Sequence, residues 1–348
     1  MARTSEKQYQ IPLFYPFVSE SMKQAAYVAL GEKIITQGQK VDKFEKLLNF
    51  TLGTQNLLSV NSGTSALELS YHLLDLKPGD EVITPVFTFI GANLPLVRQG
   101  VKIVFADVKD NLLMDWDDAL KKITPQTRAV VNVHLFGQLN ETRKLPIPIV
   151  GDAAQCLEKT KGERFTAYSF QATKILTTVD GGALVCERLE DYKRAKLLRF
   201  YGIDRETGKD NIEVDIVEAG YKYHMNDVTA AIGIAALKVL GKLKKERTLL
   251  QNHYHQTLKN IPGLKIIGGS PFLIHVPNRK RLKAKLASYG IETGLNLRRN
   301  DIYSIFGGKR QNLPNMNRLE KTYLLLPCHN NVSVKDVEFI CAAIKENL

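Results

Sequence analysis

Cysteine is scarce in this chain: four in 348 residues, at 156, 186, 328 and 341, with no CxxC pair among them. So thin a set excludes a disulfide-framed fold and a cysteine zinc site, and it reads as reduced, mostly buried thiols. No role in metal binding is indicated for the seven histidines either. Long hydrophobic runs are missing, since charge or glycine interrupts every apolar stretch well before the roughly 18 residues of a membrane span. The first residues, MARTSEKQYQ, carry no secretory apolar run. A soluble, cytoplasmic protein is the expectation. Internal repeats and low-complexity tracts are absent, and so is the GxGxxG fingerprint of dinucleotide-binding dehydrogenases. Acidic residues are the minority, 36 against 48 basic, for a net charge of +12. An excess of that sign favours anionic partners without choosing among nucleic acid, phosphorylated metabolite or acidic membrane.

What is present is an ordinary globular composition, 44% hydrophobic and 24% charged, with a length that suggests two domains. Short apolar runs at 57–60, 82–84, 102–106, 129–135, 147–150 and 182–186 alternate with helical periodicity. Near-continuous aliphatic runs of this kind predict a mostly parallel sheet covered on both faces, hence an α/β fold. One helical segment is expected over 88–99, disrupted at Pro95. The 139–150 connection is too short and too rich in breakers for a crossover helix, and a loop is expected there. Beyond 236 the character changes: a long basic helix from 238, a strand over 272–276, a basic helix near 279–289, a polar loop over 294–318, a strand at 324–327 and a terminal helix. The expected division is a large domain over 1–237 and a smaller C-terminal α/β domain over 238–348.

Three pieces could carry chemistry. AsnSerGlyThrSerAla at 61–66 joins a strand to a helix. Free N–H groups at a helix N-terminus bind anions, Gly63 allows close approach, and Thr64 adds a hydroxyl; an ordinary cap without ligand would look the same. Asp152 follows an apolar strand, where α/β proteins bind ligands, although a capping role is common. Lys174 lies between a short aromatic strand and a Gly-rich turn; most lysines are solvated, but one held between strand ends can lose its proton and act as a nucleophile. Together, in this order, the three match the needs of pyridoxal 5'-phosphate (PLP). Its phosphate must be anchored, its aldehyde must meet an amine, and its ring nitrogen needs an acidic partner.

The chain resembles the DegT-type sugar-nucleotide aminotransferases of PLP fold type I. The resemblance rests on residues 34–45, SerGlyThrSerAlaLeu (62–67), GlyAspGluValIleThrPro (79–85), AspAlaAlaGln (152–155), the SerPhe…Lys…GlyGly block (169–182) and GlyTyrLysTyrHisMetAsnAsp followed by AlaAlaIleGly (220–233). It implies that Lys174 forms the Schiff base and Asp152 contacts the pyridine nitrogen. Gln155 would reach the ring hydroxyl side, and Ser169 would join Gly63 and Thr64 at the phosphate. Phe89 matches an aromatic that stacks on the ring, with plain core packing as the equal alternative. His134 and Gly137 match a further block, His134 with a structural hydrogen bond. Lys222 and His224 stand where relatives carry Asn and Arg, and Lys222 could reach the phosphate of a neighbouring subunit as a cation. Tyr201 replaces a His, and Arg298 and Arg299 are candidate diphosphate contacts in a divergent loop.

The implied reaction moves an amino group, by resemblance from L-glutamate, to a keto-deoxy sugar of a nucleotide-linked sugar, in a homodimer with shared active sites. A lysine at 174, where related dehydratases carry His, favours transamination. A carbocyclic ketone as acceptor, or a non-catalytic PLP-binding regulator, shares the signature. A nucleic-acid-binding protein would need aromatics interleaved with its basic clusters, and none are seen.

Overall fold

The computed structural model describes residues 10–204 and 215–348. Two amphipathic helices come first, α1 (Glu20–Leu30) and α2 (Gln39–Leu52). Val41, Phe44, Leu48 and Leu52 form the buried stripe of α2, and Gly53 ends it in the left-handed conformation at φ 62°. Next come β1 (Leu57–Val60), α3 (Gly63–Leu73), β2 (Glu81–Pro85), α4 (Leu94–Arg98), β3 (Lys102–Ala106), α5 (Trp116–Lys121), β4 (Thr127–Val133), β5 (Ile149–Asp152), β6 (Phe165–Ser169) and β7 (Gly182–Cys186).

These strands make one seven-stranded sheet in the order β1-β7-β6-β5-β4-β2-β3. The pairs β2–β3, β2–β4, β4–β5 and β5–β6 are parallel, whereas β7 runs against both its neighbours. The expected mostly parallel sheet is therefore present, with strand ends shifted by up to two residues. Strands β1, β2 and β5 are buried at every position, as their unbroken apolar character requires. From β2 the chain steps outward to β3 and then returns past β2 to β4. The loops leaving β2 and β4 at their C-terminal ends thus diverge, which opens a crevice between them.

Two details differ from expectation. Pro95 lies in the first turn of α4 and starts that helix; proline has no N–H to lose there and its φ is preset. The 294–318 segment is only partly a polar loop, because Leu297, Leu313 and Met316 are buried and a short helix begins at Pro314. The connection from β4 to β5 contains no helix, as its length and breakers predict.

After α6 (Leu189–Arg199), helix α7 (Asp227–Leu258) runs 32 residues without a break. The expected boundary at 237/238 falls inside it. Up to Leu240 its apolar side packs with α1 and α2, and from Leu250 through Tyr254 and Leu258 it joins a second core. That core covers a three-stranded antiparallel sheet, β10-β9-β8, built from β8 (Lys265–Gly268), β9 (Phe272–His275) and β10 (Tyr323–Leu326). Helices α8 (Arg279–Ser288), α9 (Pro314–Leu319) and α10 (Val334–Asn347) complete the chain. Ile11, near the start of the sequence, bridges to Ile291 and belongs to this second core. Among the described residues no helix is long and apolar enough to cross a membrane.

Candidate active site

A cavity of about 560 Å³ lies at the C-terminal ends of β2, β4, β5 and β6. It gathers residues far apart in the chain: Gly63 and Thr64, Phe89, His134, Asp152 and Gln155, Ser169 and Lys174 all line it. Asp152 is the last residue of β5 and is 5% exposed. Its Oδ1 accepts a hydrogen bond from the Ala154 N–H at 3.0 Å. Lys174 is half-buried in a turn closed by its own N–H donating to the Gln171 carbonyl at 2.9 Å.

Burial pushes the Asp152 carboxyl above the usual carboxylate range, and the Ala154 N–H and the Lys174 charge act in the opposite sense. Burial likewise lowers the pKa of Lys174, with the Asp152 charge opposing it. Loss of water outweighs mutual attraction on both sides. The outcome is an amine readier to give up its proton and a carboxylate more basic than usual.

The N-terminus of α3 forms the far wall. Ser62 caps it, its Oγ accepting from the Ser65 N–H at 3.0 Å. Gly63 is required by a neighbour rather than by unusual backbone: a Cβ there would stand 2.8 Å from Ser169 Cβ. The missing side chain lets the end of β6 bring Ser169 to the helix terminus. Gly91 plays a similar part, since its Cβ position lies 3.0 Å from both the Phe89 ring and Thr64 Oγ1. Phe89 itself is 58% exposed, so the core-packing alternative does not hold; its ring borders the cavity.

His134 and Gln155 are held from behind. Gln155 Oε1 accepts from the Phe136 N–H at 3.2 Å, and its carbonyl accepts from the Gly137 N–H at 2.9 Å. His134 Nδ1 accepts from the Asn140 N–H at 3.0 Å, which leaves Nε2 to donate to Glu163 Oε1 at 2.9 Å. Glu163, whose side chain is 1% exposed, also accepts from Asn132 Nδ2 at 3.0 Å and Thr166 Oγ1 at 2.9 Å. Sequence reading missed Glu163 entirely, because a lone Glu in a polar stretch resembles a solvated one. Asn296, from the divergent loop, also lines the cavity and was not foreseen.

Other candidates lie elsewhere. Lys222 is exposed and does not line the cavity of its own chain. His224 packs edge-on against Phe200, and Tyr201 adopts a left-handed backbone at φ 58°. Arg299 is not a diphosphate contact: it is 2% exposed, its guanidinium paired with Asp301 at 2.6 Å and bonded to the Gln311 carbonyl at 3.0 Å. Arg298 is exposed beside the Tyr303 ring, at 5.5 Å.

The donor set fits PLP. An amine of lowered pKa, a buried carboxylate, a hydroxyl-lined helix N-terminus and an aromatic ring open to the same cavity answer its aldehyde, ring nitrogen, phosphate and ring face in turn. Fold and site together define a PLP enzyme of fold type I. The chain belongs to the DegT/DnrJ/EryC1/StrS aminotransferase family, whose sequence profile matches residues 17–345, and it is a PLP-dependent aminotransferase. It is 31% identical to AtS13 of Actinomadura melliaura, with a TM-score of 0.92 over 99% of this chain and 100% of that one. It is 27% identical to the sugar aminotransferase CalS13 of Micromonospora echinospora, with a TM-score of 0.91 over 97% and 100%. A UDP-4-amino-4-deoxy-L-arabinose–oxoglutarate aminotransferase of Shewanella sediminis is 29% identical over 97% of both chains.

Proposed function

We propose that the protein moves the amino group of L-glutamate to a keto-deoxy sugar carried on a nucleotide, as a homodimer whose sites are shared. The observation that carries this reading is Lys174 and Asp152 bordering one cavity, with loss of water shifting the pKa of each toward its neutral form. The name of the Shewanella relative, which pairs a UDP-linked amino sugar with oxoglutarate, supports the donor and the substrate class.

PLP, when bound, supplies an aldehyde for the amine and a ring that accepts electrons. The chain's own groups do the rest. Lys174 Nζ would hold the cofactor, and as a free amine its lone pair would take the proton from the donor's Cα and, in the acceptor half-reaction, give one to the sugar carbon that receives the amine. Asp152, as the carboxylate, would favour a proton on the ring nitrogen by its negative charge. Thr64, Ser169 and the N–H groups of α3 would hold the phosphate, with Phe89 available to the ring and Gln155 to its hydroxyl. Lys222 completes the phosphate site of a second copy.

The test is an absorption spectrum of the PLP-loaded protein before and after L-glutamate, with Lys174→Ala as control. The expected result is loss of the visible band of lysine-bound cofactor in the parent only, followed by its return on adding a keto sugar nucleotide. A parent whose band ignores glutamate would overturn the donor assignment. A panel of keto sugar nucleotides that never restores the band would overturn the acceptor.

A further inference from the structure

Lys174 borders a second, smaller cavity of about 90 Å³, on the side of Gln155 and Asn296 away from Phe89. Arg247, from the middle of α7, forms its other wall together with Ser270. The guanidinium has neutral partners only: Nε donates to Asn330 Oδ1 at 2.8 Å and Nη1 to Ser270 Oγ at 3.2 Å. Nη2 makes no hydrogen bond and the side chain no ion pair among the described residues. The adjacent Lys244 differs, being paired with Glu158 at 2.7 Å. Burial pushes the Arg247 pKa down to about 10, and no carboxylate offsets that cost. The group is still charged at neutral pH, so the fold places a cation without a carboxylate partner on the wall of a cavity that Lys174 also lines. Arg247 is half-buried, and an anion reaching its free edge would offset the water it has lost.

We propose that Arg247 is a carboxylate subsite, which seats the carboxylate of the amino donor, and of the 2-oxo acid it becomes, beside Lys174. The inference rests on the transamination reading above and assigns the donor a place separate from the larger cavity. A free guanidinium edge suits a carboxylate, since parallel N–H groups match its two oxygens. A cavity of this size has room for a carboxylate group. The sugar nucleotide is left to the 560 Å³ side.

The test is calorimetric titration of the PLP-loaded protein with glutarate, a dicarboxylate with no amine to react. The parent should bind it, and Arg247→Met should bind at least about tenfold more weakly, as expected for losing charge-assisted hydrogen bonds. Arg247→Lys, which keeps charge without the fork, should fall between them. In the spectral reaction with L-glutamate, Arg247→Met should raise the half-saturating concentration and leave the limiting rate within a few-fold. Unfolding temperatures of all variants control for lost contacts to Ser270 and Asn330. If the Met variant does not fold, Arg247→Gln, which retains donors for both, replaces it with the same expectation. Equal glutarate affinity in parent and variant, or none in the parent, overturns the subsite. Arg247-dependent glutarate binding without a spectral response to glutamate would instead remove the donor assignment and keep the subsite.

Discussion

Gly151 and Glu163 compete for one position in space: a Cβ on Gly151 would stand 1.9 Å from Glu163 Oε2. The carboxylate cannot move aside, because Asn132, His134 and Thr166 all donate to it. Gly151→Ala should therefore lose about 3–5 kcal/mol of stability in urea unfolding, the scale of breaking a buried charge cluster. Adding Glu163→Ala to it should recover part of the loss, and no recovery would mean that the clash lies elsewhere. Lys174 offers a test with a defined sign. Its pKa is lowered from 10.5 by folding, so above the lowered value and up to 10.5 the unfolded chain binds more protons and this group's contribution to stability rises with pH. Cofactor-free Lys174→Met should be more stable than the parent at pH 7, with the gap in unfolding temperature closing as pH approaches 10.5. A constant gap would contradict a desolvated ammonium. Glu163 and Arg299 show why single residues mislead in a sequence. Glu163 meets partners about thirty positions away across the sheet, while Arg299 is neutralised by Asp301 and hydrogen-bonded by residues a dozen or more positions beyond it.

At the level of elements, α7 carries two glycines with opposite environments. A Cβ on Gly241 would meet nothing within 4 Å, whereas one on Gly233 would stand 2.5 Å from the Phe44 ring. Gly241→Ala should stabilise the protein by about 0.5–1 kcal/mol through helix propensity alone. Gly233→Ala should destabilise it by about 1–3 kcal/mol through overpacking against α2, and thermal unfolding of the pair would check both signs. The same helix serves α2 at its start. Gly38 has no side chain to cap α2, and Asp227 supplies the carboxylate instead, accepting from the N–H groups of Gly38, Lys40 and Val41 at 2.9, 3.2 and 3.0 Å. This explains two of the motif blocks physically, since ThrGlnGly at 36–38 and AsnAsp at 226–227 are two halves of one cap. Strands were legible because burial on both faces leaves an unbroken apolar run. The passage of α7 through the expected boundary was not, because helical periodicity continues while the partners of its apolar side change.

Across the whole molecule, exposed apolar side chains gather on α1, on α2 and in the turn between them: Tyr27 at 75%, Leu30 at 62%, Ile34 at 55%, and Phe50 on α2 at 89%. These side chains are open to contact with another protein, as the homodimer proposed above would use them. Lys222 gives that proposal a functional readout. Lys174→Ala and Lys222→Ala chains should each lose activity alone, yet regain part of it after being unfolded together and refolded as mixed dimers. Each mixed dimer would then hold one site with both lysines. If mixing restores nothing, Lys222 does not serve a neighbouring site.

The unbroken course of α7 also has a mechanical meaning. At about 1.5 Å per residue, its 32 residues make a rod of about 48 Å fixed at one end to α2 and at the other to the smaller core. A rod shared by both cores is an axle, stiff against splaying in a way that a loop would not be. The cavity lined by Lys174 of the larger core and Arg247 of the axle is thus framed by parts whose separation a single helix sets.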